Sequence, residues 1–239
     1  MNSFDLVVNF FKQGGAFLYP IAAVFAVGIA VAIERFIYLT RVARGNRKLW
    51  SQLAPQIQAG NYRKAMEVAD RTDSALATIM KYGISRMATA QRHEDIERAM
   101  GESLIEVVQR IEKRTNHLAA LANIGMLMGL FGTVVGLISA FAAVANVNPA
   151  ERTSLLSASI SVAMNNTALG LGLAISLLLA HMYLESRTTS LVNGLEMAAM
   201  KFLNSVAERR TESQRALTPG QVATQLGAPA GHAQRAHRA

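Results

Sequence analysis

Charged positions are spread unevenly along this chain. No Asp, Glu, Lys or Arg occurs between Lys12 and Glu34, between Arg114 and Glu151, or between Arg152 and Glu185. Each interval exceeds the roughly 20 residues a helix needs to cross about 30 Å of hydrocarbon. A helix of a soluble bundle carries a polar stripe, and these stretches carry none. Because backbone groups in lipid must bond within the segment, the pattern predicts an all-α integral membrane protein with three transmembrane helices.

Outside the gaps the periodicity stays helical. Ile96, Met100, Leu104, Val107 and Ile111 recur at intervals of four or three with charges between them. No proline interrupts the run into the second apolar block, so one long helix is expected from about His93 to Ala145. After the third block, Leu184, Thr188, Leu191, Leu195, Ala198 and Phe202 form a comparable seam, which must pack on a partner helix. Two of the three helices are therefore expected to extend into a cytoplasmic helical bundle. Pro55, Gly60-Asn61 and Asp73-Ser74 punctuate shorter helices, Tyr62 to Arg71 and Ala75 to Met87, and nothing reads as strand.

The expected order is an interfacial amphipathic helix (1–15, with Phe4, Val7, Val8 and Phe11 on one face), a first span (16–39) and a cytoplasmic helical segment (40–114). A second span (115–145), a short outer loop (146–153), a third span (154–184) and a cytoplasmic extension (185–215) follow. The Pro/Gly/Ala/Gln-rich tail (216–239) cannot bury a core and reads as disordered, with His232 and His237 solvated. Ala30-Val31-Ala32 has the small residues of a signal-peptidase site. The apolar block is long for a signal, however, and Glu34-Arg35 follow at once, which favours a retained span.

Charge sets the orientation. Arg35, Arg41, Arg44, Arg47 and Lys48 crowd the exit of the first block, and Arg187, Lys201, Arg209, Arg210 and Arg215 that of the third. The positive-inside rule places both exits in the cytoplasm and the N-terminus outside. The net charge of +8 does not point to nucleic acid, because the 24 Lys/Arg are interleaved with 16 Asp/Glu and only five Tyr and one Trp could stack on bases. With no cysteine, disulfides and thiolate metal sites are excluded. The sequence holds no nucleophile with a suitable base, no GxxxxGK[ST] loop and no metal-ligand cluster, so neither an enzyme nor a cofactor is expected. Glu67, Asp70 and Asp73 read as a solvated helix edge.

The spans themselves hold the candidate chemistry. Helices in lipid associate through small residues and the few polar groups at hand. The second block carries Gly125, Gly129, Gly132 and Gly136 with Thr133 and Ser139, and the third carries Asn165, Asn166, Thr167, Gly170 and Gly172. A lone membrane threonine ordinarily returns its hydroxyl to its own helix. Asn165-Asn166 is too polar to face lipid, though, and two antiparallel spans would bring Thr133 and Thr167 to comparable depth, in one polar layer.

GLFGTVVGLISAF (129–141) resembles the GLxGTVxG...F signature of the second span in the ExbB/TolQ/MotA proton-channel family. AMNNTALGLGLAI (163–175) is similar to that family's AL..TA.GL..AI pattern, AIERFIYL (32–39) suits its first-span exit, and the three-span layout favours the ExbB/TolQ branch. The resemblance implies a homopentamer in the inner membrane whose second and third spans surround a pore. Within it would sit a dimer of ExbD/TolR-like single-span partners, each with a membrane Asp, coupled to a TonB/TolA-like protein. Thr133 and Thr167 match the family's pore-facing threonines, and Asn165, Asn166 and Ser139 would line the same pore. Gly125, Gly129, Gly132, Gly136 and Gly170 would pack the helices. Three departures stand out: Val162 occupies the place of a family glutamate, and Met126 and Ser176 replace family prolines. Val162 keeps open a second reading, a non-conducting pentameric scaffold.

Overall fold

A computed structural model describes residues 17–90, 92–145 and 147–217. Every regular element among them is helical: α1 (Leu18–Gln58), α2 (Tyr62–Asp70), α3 (Ala75–Met87), α4 (His93–Glu112), α5 (Asn116–Val144) and α6 (Pro149–Leu217). The amphipathic segment 1–15 and the tail beyond 217 lie outside the described residues. Three helical stretches are long and apolar enough to cross a membrane: Leu18–Gln58, His93–Val144 and Pro149–Glu212.

The chain divides into two compact units. The first contains the described residues up to Lys48 together with Leu104–Leu195; the second contains Leu49–Ser103 and the described residues from Glu196.

In the second unit, short amphipathic helices enclose a conventional apolar core. Leu53, Leu76, Ile79, Met80, Ile96, Met100 and Phe202 are almost wholly buried. Gly83 makes the packing of α3 possible, since a Cβ there would fall 2.6 Å from Met100 Sδ and 3.0 Å from Phe202 Cε1. The Ser74 hydroxyl accepts from the Ala77 amide at 3.2 Å and caps α3, satisfying a donor the helix cannot. The turn after α1 passes through Gly60 at φ 75°, a conformation costly for residues with a Cβ. Arg209 lies over Gly60 and donates from Nη2 to the carbonyl of Gln58. The acidic edge is solvated as expected: Glu67 pairs with Arg71 and Asp70 with Lys81 at the surface.

The first unit is built differently. In the most apolar windows of the three long helices, only 17%, 17% and 22% of positions are buried. Helices that bury so little apolar surface within one chain need lipid or further copies around them.

Two local features mark the long helices. The stretch expected as one long helix from about His93 to Ala145 runs as a single helical stretch, His93–Val144, with a three-residue turn at 113–115 between α4 and α5. Backbone bonds tighten to a spacing of three residues, with Thr115 N donating to Glu112 O at 3.1 Å and Leu118 N to Thr115 O at 3.2 Å. The Thr115 carbonyl also lies 3.1 Å from His181 Nδ1 of α6, a tertiary contact invisible to periodicity. The third long helix begins at Pro149, ahead of the expected span 154–184. Proline suits the first helical position, where no amide donor is required, and Arg152 Nε donates back to Val147 O at 3.0 Å to close the turn.

Candidate functional site: a threonine pair between glycine-packed helices

The second and third apolar blocks pack backbone to backbone. A Cβ on Gly129 would stand 2.9 Å from Gly170 Cα, and one on Gly170 would stand 2.8 Å from Gly129 Cα. Along the same antiparallel seam, Gly132 faces Asn166, and a Cβ on Gly136 would lie 2.9 Å from that of Ala163. As α5 descends through 129, 132 and 136, α6 ascends through 170, 166 and 163. Glycine here serves close approach of two helices in a medium where hydrophobicity does not drive them together. Gly125 has another role: its nearest side chain is Val24 of α1, at 4.0 Å, while its carbonyl oxygen lies against Gly170. Gly172 meets nothing within 4 Å.

This close seam sets the geometry of the two threonines. Thr133 Oγ1 donates to Gly129 O, one turn behind it, at 3.2 Å, and lies 3.4 Å from Ala163 O. Thr167 Oγ1 lies 3.2 Å from the same Gly129 carbonyl, across the helix pair. The two hydroxyls are in direct hydrogen-bond contact with each other. Both side chains are half-buried. Two hydroxyls and two helix carbonyls thus share one spot, where each hydroxyl can donate or accept according to its neighbour.

The other polar candidates distribute around this pair. Asn166 is buried against Gly132, and its Oδ1 has no hydrogen-bond partner among the described residues. Asn165 is half-buried, and Ser139 is exposed. Six residues separate Ser139 from Thr133, which puts it on a different side of α5. No described group of three or more His, Asp or Glu residues could hold a metal ion.

Sequence reasoning missed the contacts that tie one end of the three spans together. Arg114 Nη1 pairs with Glu34 Oε1 at 3.2 Å, joining the exit of the first apolar block to the entry of the second. His181 contacts the Thr115 carbonyl through Nδ1 and lies 3.6 Å from Glu185 Oε2 through Nε2. Only the charge gaps hinted at these sites, since each residue stands at or near a gap edge.

The two spanning helices are thus packed through glycine around an internal pair of hydroxyls. Residues 71–197 match the MotA/TolQ/ExbB proton channel family; this is more than half of the chain, and the protein belongs to that family. The matched segment includes the whole Thr133–Thr167 seam. The chain is 25% identical over 199 residues to an ExbB homolog of Methanothermobacter thermautotrophicus named for biopolymer transport, covering 82% of this chain and 69% of that protein. It is 32% identical over 107 residues to the Tol-Pal system protein TolQ of Haemophilus influenzae, covering 45% of each. The protein is accordingly a multi-pass membrane protein of a channel family.

Proposed function

We propose that this chain is the pore-forming ring subunit of a proton-gradient-driven envelope motor of the ExbB/TolQ type. Five copies surround a pore, with the N-terminus periplasmic and the C-terminus in the cytoplasm. The observation that carries this reading is the shared contact of Thr133, Thr167 and the Gly129 carbonyl at a level where the spans have no ionisable group. A proton path through the bilayer requires a titratable group or a continuous water chain. The carboxyl comes from an ExbD/TolR-like single-span partner carrying a membrane Asp. The threonine pair offers that carboxyl a donor when it is ionised and an acceptor when it is protonated. Protonation of the partner in turn drives its movement within the ring, and a TonB/TolA-like protein carries the work to the outer membrane. No enzymatic step is needed, because the gradient supplies the energy.

The test is proton flux into vesicles holding the chain with and without a copurified single-span partner. Flux that requires both chains and the Thr133 and Thr167 hydroxyls supports the motor. Val162, half-buried on α6 at the place of a family glutamate, favours a second reading, a non-conducting scaffold of the same packing. An assembled complex without partner-dependent flux would support the scaffold instead.

A further inference from the structure

Where α1 and α6 leave the apolar layer, they enclose a groove of about 420 Å³. Its lining combines apolar side chains, Phe36, Leu39, Leu184 and Leu191, with two cations, Arg44 and Arg187. Arg44 follows Leu39 by five residues, roughly 7.5 Å along a helix, and Arg187 follows Leu184 by about 4.5 Å. Apolar side chains and two guanidinium groups thus share one groove near the ends of both charge-free stretches.

One of the two arginines is held in place. Arg187 donates from Nε and Nη2 to Tyr183 Oη at 3.1 and 2.8 Å and lies with its guanidinium 5.2 Å from that ring's centroid. Tyr183 is in turn stacked on Phe36, with ring centroids 6.2 Å apart. Arg187 thus rests on Tyr183, which stacks in turn on the groove-lining Phe36. Neither Arg44 nor Arg187 forms an ion pair among the described residues, and no carboxylate lines the groove.

We propose that this groove binds the headgroup of an anionic phospholipid of the cytoplasm-facing leaflet. Its phosphodiester sits between Arg44 and Arg187, and an acyl chain lies along Phe36 and Leu184. Charge complementarity selects this occupant. Guanidinium groups match phosphate oxygens in geometry and charge, and basic pockets between spanning helices at this level suit anionic headgroups. A zwitterionic lipid would bring its own cation against the two arginines. The inference rests on the membrane topology and is independent of proton conduction.

Native mass spectrometry of the detergent-purified full chain, with phosphatidylglycerol and phosphatidylcholine in competition, tests it. Wild type should retain phosphatidylglycerol preferentially. R44Q/R187Q should weaken that retention by about thirtyfold, the effect of removing two near-surface cations. R44K/R187K should retain most of it, and R41Q/R47Q, with the same loss of net charge outside the groove, should match wild type. Equal retention of both lipids by wild type would overturn the site without reference to any variant. Undiminished phosphatidylglycerol on R44Q/R187Q would do so as well. Thermal stabilisation by glycerol 3-phosphate as strong as that by phosphatidylglycerol would show a free-anion site instead. A drop in assembly mass of R44Q/R187Q with lipid retained would place a neighbouring copy in the groove.

Discussion

Thr133 and Thr167 each reach the carbonyl that lies one turn behind the other. Thr133 Oγ1 is 3.4 Å from Ala163 O, and Thr167 Oγ1 is 3.2 Å from Gly129 O. The ordinary fate of a membrane threonine, a bond to its own preceding turn, is met in part by Thr133. Thr167 instead crosses to the other helix. The pair therefore couples α5 to α6 through hydroxyls that keep exchangeable protons.

This coupling separates shape from chemistry. Thr133→Val and Thr167→Val keep the side-chain volume and remove the hydroxyl, so each should lower stability by only about 1 kcal/mol, the net worth of an ordinary hydrogen bond. Thr→Ser at either site keeps the hydroxyl and should retain transport. Detergent melting curves read beside growth that depends on the driven process would check this. Loss of transport in the serine variants together with the valine variants would point to packing as the role.

The glycine seam should be sharply position-dependent. Gly129→Ala or Gly170→Ala brings a Cβ to within 2.9 Å or 2.8 Å of the facing backbone, which cannot rotate away as a side chain can. Each should cost about 1–3 kcal/mol by overpacking. Gly172→Ala, with nothing within 4 Å, should be neutral or slightly stabilising, as alanine favours helix. Melting temperatures in one detergent compare the three directly, and equal effects at 170 and 172 would contradict the close approach.

Gly60 and Arg209 should behave as a unit. Gly60→Ala forces a Cβ into a left-handed turn and against the Arg209 guanidinium, an expected loss of about 1–2 kcal/mol for the conformation alone. Arg209→Ala removes the steric part of that penalty but also the bond to Gln58 O. The double variant should thus lose less than the sum of the single losses, and a double-mutant cycle by chemical denaturation measures the difference.

His181 holds the break between α4 and α5. Replacing it by Leu removes the group lying 3.1 Å from Thr115 O, with an expected loss of about 1 kcal/mol. Amide exchange should rise locally at Thr115 to Leu118 while the Thr133 region keeps its protection. Unchanged exchange at residues 115–118 would show that the turn is held by its backbone alone.

Much of this fold was legible because the bilayer makes charge placement nearly binary. Three charge gaps gave three spanning helices, and the apolar spacing gave α2 and α3 to within a residue. Thr133 and Thr167 could be matched in depth because a short hairpin fixes the register of two antiparallel helices. What could not be read depends on tertiary contact. The interruption at 113–115 coincides with a histidine 66 positions away in sequence, and the start of α6 depends on how Pro149 and Arg152 close a turn. Ser139 lies exposed, six positions from Thr133 and so on another side of α5. Arg44 and Arg187 drew notice only as topology markers, since their shared groove depends on α1 and α6 being neighbours.

Partner-dependent proton flux in reconstituted vesicles bears most directly on the central claim. With an imposed gradient, wild type plus its single-span partner should conduct. T133V/T167V, assembled to the same mass with the same partner, should not. Equal flux from the assembled double variant would contradict the assignment of these two hydroxyls to the proton path.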